Sequence, residues 1–142
     1  MLTFLDRLRY TIYSMNPLDI SDEQFQDLID TALGELPKQQ TDNLKNVAIL
    51  FADEPTSEQR ERLRLHPGQS LYGLYEGTPL AFRQGNGTLY PDRITLFKLP
   101  ILGSSSDLRV VKAQIKHTLW HEIGHYYGLD HDKIHGIEAN WK

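Results

Sequence analysis

HEIGHYYGLDH, residues 121–131, places two imidazoles four positions apart, and at i and i+4 of a helix His121 and His125 project from the same face, close enough to share one ion. Glu122 follows the first histidine and precedes the second by three positions, so its carboxylate reaches a water at an open metal position without being a ligand itself, as a general base must. Gly128 falls where a helix commonly ends in a left-handed residue, which glycine adopts without a Cβ penalty. The chain turns back there, and His131 returns toward the ion as a third protein ligand. Three protein ligands leave the fourth position of a tetrahedral zinc open for water, the pattern of a catalytic rather than a structural zinc site.

Upstream, the pattern predicts a long helix over 107–127 with Ser106 or Asp107 as its N-cap. Val111, Ile115, Leu119, Ile123 and Tyr127 recur every four residues and define its core face. His117, His121 and His125 recur on a face about 200° away. Ser21-Asp22-Glu23-Gln24 is a capping box, and Phe25, Leu28, Ile29 and Ala32 continue it as a helix over 21–34. The apolar run 47–51 reads as a buried strand, and 56–70 as a loop or a short exposed helix around Glu58–Leu65. Leu71–Tyr75 and Thr78–Phe82 suggest a hairpin across Glu76-Gly77. A further strand over 93–99 ends at Pro100 and offers an edge to which a substrate strand could add. The fold class is therefore α/β (α+β): a small mixed sheet packed on helices, with the histidine motif on the long C-terminal helix.

The 142 residues suit one compact domain, assigned to 21–142, with 1–20 as an N-terminal appendage. Net charge is −4 and the basic residues are scattered apart from Arg60, Arg62 and Arg64, which alternate with Glu58 and Glu61 as a solvated face. No nucleic-acid partner is expected. Asp6, Arg7 and Arg9 interrupt the N-terminal apolar positions before a signal-peptide core or membrane span forms, so the reading is cytoplasmic with no membrane partner. With no cysteine in the chain, a metal must use His, Asp or Glu.

HEIGHYYGLDH fits H-E-x-x-H-x-x-G-x-x-H at every fixed position and resembles the metzincin zinc motif. From Val47 to His131, including DEP at 53–55, LYGLYEGTPL at 71–80 and PDRITLFKLPI at 91–101, the chain is similar to the minimal zincin-like metallopeptidases, small bacterial and archaeal proteins. The resemblance covers roughly 21–131 and implies a reduced zincin, with a few-stranded sheet over the active-site helix and little lower subdomain. It implies one Zn2+ per chain on His121, His125 and His131, with Glu122 as general base in the hydrolysis of a peptide or protein substrate. In that family the third ligand is often acidic, which keeps Asp130 and Asp132 open as alternatives to His131. Full metzincins carry a Met-containing turn after the third ligand, whereas this chain has only Met1 and Met15 and eleven residues beyond His131. The alternatives to a peptidase are a non-catalytic zinc-binding or protein-interaction module and a zinc hydrolase of a non-peptide amide or ester.

Other residues near the motif receive lesser roles. His117 continues the stripe as a surface residue or a support to the ligands, and His135 and Glu138 are ordinary tail residues or a further ligand. Tyr126 is a candidate to assist a tetrahedral oxyanion, Tyr127 belongs to the core, and His66 sits in a polar loop.

Overall fold

The computed structural model describes residues 18–77 and 91–139. The proposed appendage at 1–20 and the second arm of the suggested hairpin at 78–82 fall largely or wholly outside these residues. In chain order the elements are α1 (Asp22–Glu35), α2 (Lys38–Thr41), β1 (Val47–Ala52), α3 (Ser57–Arg62), β2 (Gly73–Glu76), β3 (Asp92–Phe97), α4 (Lys98–Gly103), α5 (Leu108–Tyr126) and α6 (His131–Glu138). This is an α+β arrangement around one small mixed sheet.

Helix starts follow the local chemistry. Ser21 caps α1 in a reciprocal capping box with Gln24, and Thr56 does the same for α3 with Gln59. Asp107 caps α5 by accepting from the Val110 N–H. The sheet order is β1-β3-β2, with β1 parallel and β2 antiparallel to β3. Two sequence expectations are corrected here. β3 lies between two partners, so it presents no free edge for a substrate strand. The strand also ends at Phe97 rather than at Pro100, which sits instead in the first turn of α4, where a helix has no use for the missing N–H. The 47–51 run does form β1, but it is half-buried rather than buried, and Leu50 is 45% exposed. Its described pairing is with β3 alone.

The core lies where α1 and α5 pack on one another and on the sheet. Phe25, Ile29, Ile94, Leu96, Ile101, Val111, Ile115, Leu119, Trp120 and Ile123 are all essentially sealed from solvent. Phe25 of α1 meets Phe51 of β1 edge to face at 5.2 Å. Two close approaches position the C-terminal half of α5. A Cβ at Gly73 of β2 would lie 2.5 Å from Thr118 Cγ2 and 3.4 Å from Glu122 Cγ, so the missing side chain lets the strand run directly against the helix. A Cβ at Gly124 would lie 2.5 and 2.6 Å from Ile134 Cγ1 and Cδ1, so α6 seats its fully buried Ile134 in the space that Gly124 leaves. The Trp120 indole N–H donates to the Ile134 carbonyl at 3.4 Å and holds the same contact from the side.

Gly124→Ala is expected to cost about 1–3 kcal/mol by overpacking against Ile134. Ile134→Ala alone is expected to cost about 2–5 kcal/mol. The double variant should lose clearly less than the sum, because each change relieves the other. Urea unfolding of the four proteins checks this, and strict additivity would contradict the contact.

Candidate metal centre

The motif begins on the last two turns of α5 and ends on the first residue of α6. α5 closes in a paired C-terminal motif: the Gly128 N–H donates to the His125 carbonyl at 2.9 Å and the Leu129 N–H to the Gly124 carbonyl at 3.0 Å. Gly128 has φ +78°, the left-handed conformation expected of it from sequence. Asp130 then caps α6, its side chain accepting from the Lys133 N–H at 2.8 Å, and His131 becomes the first helical residue. The turn and the Ile134 contact together aim His131 back over α5.

The three rings form a near-equilateral triangle, with centroids 4.8 Å apart for His121 and His125, 5.0 Å for His121 and His131, and 5.1 Å for His125 and His131. Each offers a ring nitrogen, and these atoms lie within 4.8 Å of one another. Zn–N bonds of about 2.0–2.1 Å put tetrahedral ligands about 3.3–3.4 Å apart, a difference that small imidazole rotations cover. Three imidazoles with no thiolate nearby are a donor set that suits zinc. Among the described residues these three are the group of histidines and carboxylates whose ligand atoms already lie this close together. Asp130 is engaged as a helix cap and Asp132 is exposed on the first turn of α6, so neither joins the triangle.

Burial separates the electrostatics of the centre from those of free side chains. Glu122 is 8% exposed, and desolvation pushes its carboxyl up to about 7, partly offset by a backbone hydrogen bond from Tyr75 of β2. Desolvation, aided by the neighbouring imidazoles, holds His121 down to about 4, and burial and the nearby His131 also lower His125. His121 and His125 thus stay neutral and available to a lower pH than a free imidazole does.

The structure distributes the remaining candidates unevenly. Tyr126 is fully buried and faces away from the centre, its hydroxyl accepting from the Lys45 N–H at 3.1 Å and donating to the Lys45 carbonyl at 3.3 Å. It has no oxyanion role in this position. Tyr127 is half-buried and donates its hydroxyl to the Gln40 carbonyl. His117 and His135 stand on either side of Glu138. His66 is exposed, as expected. The arginines are more than a solvated face: Arg60 donates to the carbonyls of His66 and Gln69 and ties that loop, while Arg62 pairs with Glu76 of β2.

β2 and the segment after α3 were not singled out in sequence as site elements. Together they wall an open cleft beside His121, Glu122 and His125, with Leu63, Leu65, Leu71, Leu74 and Leu129 supplying apolar surface. The only sequence signal was Leu63 and Leu65 within the polar stretch 56–70, which reads as a loop or a short exposed helix.

Residues 44–141 match the family described as zincin-like metallopeptidase. No curated protein matches the chain. Among the described residues no helix is long and apolar enough to cross a membrane.

Glu122 and His121 act on stability in opposite senses in the metal-free protein. Glu122, raised from 4.5 to about 7, holds more protons folded than unfolded, so its contribution is full below about 4.5 and is lost as pH rises toward 7. His121, lowered from 6.5 to about 4, holds fewer protons folded, so its contribution is full above about 6.5 and is lost as pH falls toward 4. Glu122→Gln is expected to remove the first dependence and expose the second. Chemical denaturation from pH 4.5 to 7 should then show stability rising with pH more steeply in the variant than in wild type.

Proposed function

Because the chain belongs to the zincin-like metallopeptidase family, we propose that it is a zinc-dependent peptidase in which His121, His125 and His131 hold one tightly bound ion and Glu122 is the general base. The observation that carries this reading is the buried Glu122 carboxyl, which lines the same open cleft as His121 and His125, two of three converging imidazoles. A structural zinc would be closed by four protein ligands and has no need of such a carboxylate.

When bound, zinc supplies Lewis acidity, lowering the pKa of water to about 7 and polarising a carbonyl. Glu122 takes the proton of the attacking water and hands it to the departing amine nitrogen. Burial makes Glu122 a stronger base than an exposed carboxylate, while the positive charge of a bound ion would favour its ionised form. The Tyr75 backbone bond orients the carboxylate.

The substrate would lie along β2. Among the described residues β2 pairs with β3 on one side, and its backbone lines the cleft beside the histidines. An extended peptide can use that backbone for hydrogen bonds in the manner of an added strand.

Glu122→Gln is expected to keep the tightly held zinc and to lower peptide hydrolysis by about 10²-fold or more, since the amide keeps the shape but accepts no proton. A mixed peptide library read by mass spectrometry supplies the assay. Equal cleavage by wild type and variant would refute the mechanism. Zinc-loaded wild type that cleaves no peptide would favour the binding-module reading, or the hydrolysis of a non-peptide amide or ester if such substrates are turned over. His121→Ala/His125→Ala is expected to lose the tight zinc while remaining folded, measured by elemental analysis and circular dichroism.

A further inference from the structure

One histidine of the α5 stripe and one of α6 lie outside the triangle, and both turn to the same carboxylate. Glu138 Oε2 is 3.3 Å from His117 Nδ1 and 3.5 Å from His135 Nδ1. The Glu138 side chain is only 13% exposed, and its second oxygen, Oε1, is buried with no hydrogen-bond partner. A carboxylate this enclosed, with one oxygen unpartnered, is costly to bury as a charge, and a cation held on its Oε2 side offsets that charge.

We infer that His117, His135 and Glu138 form a second cation site beside the histidine triangle, selective for divalent transition metals and weaker than the first. The two nitrogen-to-oxygen separations already match the distance of about 3.3–3.4 Å between ligand atoms of a tetrahedral zinc whose bonds are about 2.0–2.1 Å. The two rings are 49% and 59% exposed, which leaves both imidazoles room to turn toward a shared ion. Two nitrogens and one oxygen favour zinc, nickel or copper over calcium or magnesium, which prefer oxygen-only shells. Weaker binding follows from the exposure of both rings. The site is also near the first, since the His135 ring centroid lies 6.1 Å from that of His121 and 6.5 Å from that of His131, and two dications repel at such range.

The test is a Zn2+ titration of the metal-free full-length chain by calorimetry, with elemental analysis after equilibrium dialysis. Wild type is expected to bind two equivalents, the second at least 10-fold more weakly. His135→Ala and the double variant His117→Ala/His135→Ala change exposed side chains, and each is expected to keep the tight equivalent and lose the weak one. His121→Ala/His125→Ala is expected to do the reverse. Mg2+ at the same concentrations should not compete for the second equivalent. One equivalent only in wild type, or a second that survives in His117→Ala/His135→Ala, overturns the inference. Neither result bears on Glu122 or on peptide hydrolysis, so failure here is distinguishable from failure of the catalytic reading.

Discussion

The seat of Ile134 in the space left by Gly124 is the contact on which the centre depends. Two donors, His121 and His125, come with α5 and need only its helical repeat. The third does not. His131 is exposed and belongs to another helix, so its place over α5 follows from how α6 docks. That docking uses one buried side chain, the Trp120 indole bond to the Ile134 carbonyl, and the turn at Gly128. A Cβ at 124 would meet the Ile134 side chain, so that side chain, or α6 with it, would have to shift.

A second constraint fixes the acid-base group. β2 comes against α5 because Gly73 has no side chain, and the result is a Glu122 carboxyl enclosed by helix and strand. Its enclosure raises its pKa and the Tyr75 backbone restrains it, so one packing event sets both the chemistry and the orientation. β2 is held in turn from outside, where Glu76 accepts from Gln59 and Arg62 of α3 and Arg93 of β3 lies 3.8 Å away. The wall of the cleft is thus fastened to the sheet by a charged cluster on its rim.

How much of this was legible in the sequence depended on whether the signal was local. Caps, the turn at Gly128 and the spacing of His121, His125 and His131 are decided by neighbours in sequence, and the structure carries each of them. Tyr126, offered as an oxyanion partner and found buried, shows the limit of a four-residue repeat. A helix advances about 100° per residue, so each step of four drifts by about 40°; from Val111, Tyr127 has drifted about 160° while Tyr126 sits near 60°, close to the centre of the core face. Tyr126 is buried for that reason. The same drift leaves His117 exposed at the far end of the stripe. Which strand flanks the cleft was not legible, because β2 has only four residues and strand order is a long-range property. Pro100 misled because a proline that stops a strand is equally at home in a first helical turn.

All three ligands of the triangle lie within eleven consecutive residues, whereas β1 and β3 pair in parallel across an interval that begins at Val47 and ends at Phe97. Bringing the ligands together closes a very short loop, so an ion restricts little of the unfolded chain's freedom. The parallel pairing closes a long one and belongs to the slower part of folding. This topology lets the ligand-bearing helix pair come together over a short loop, whereas the sheet and its cleft wall must close a long one.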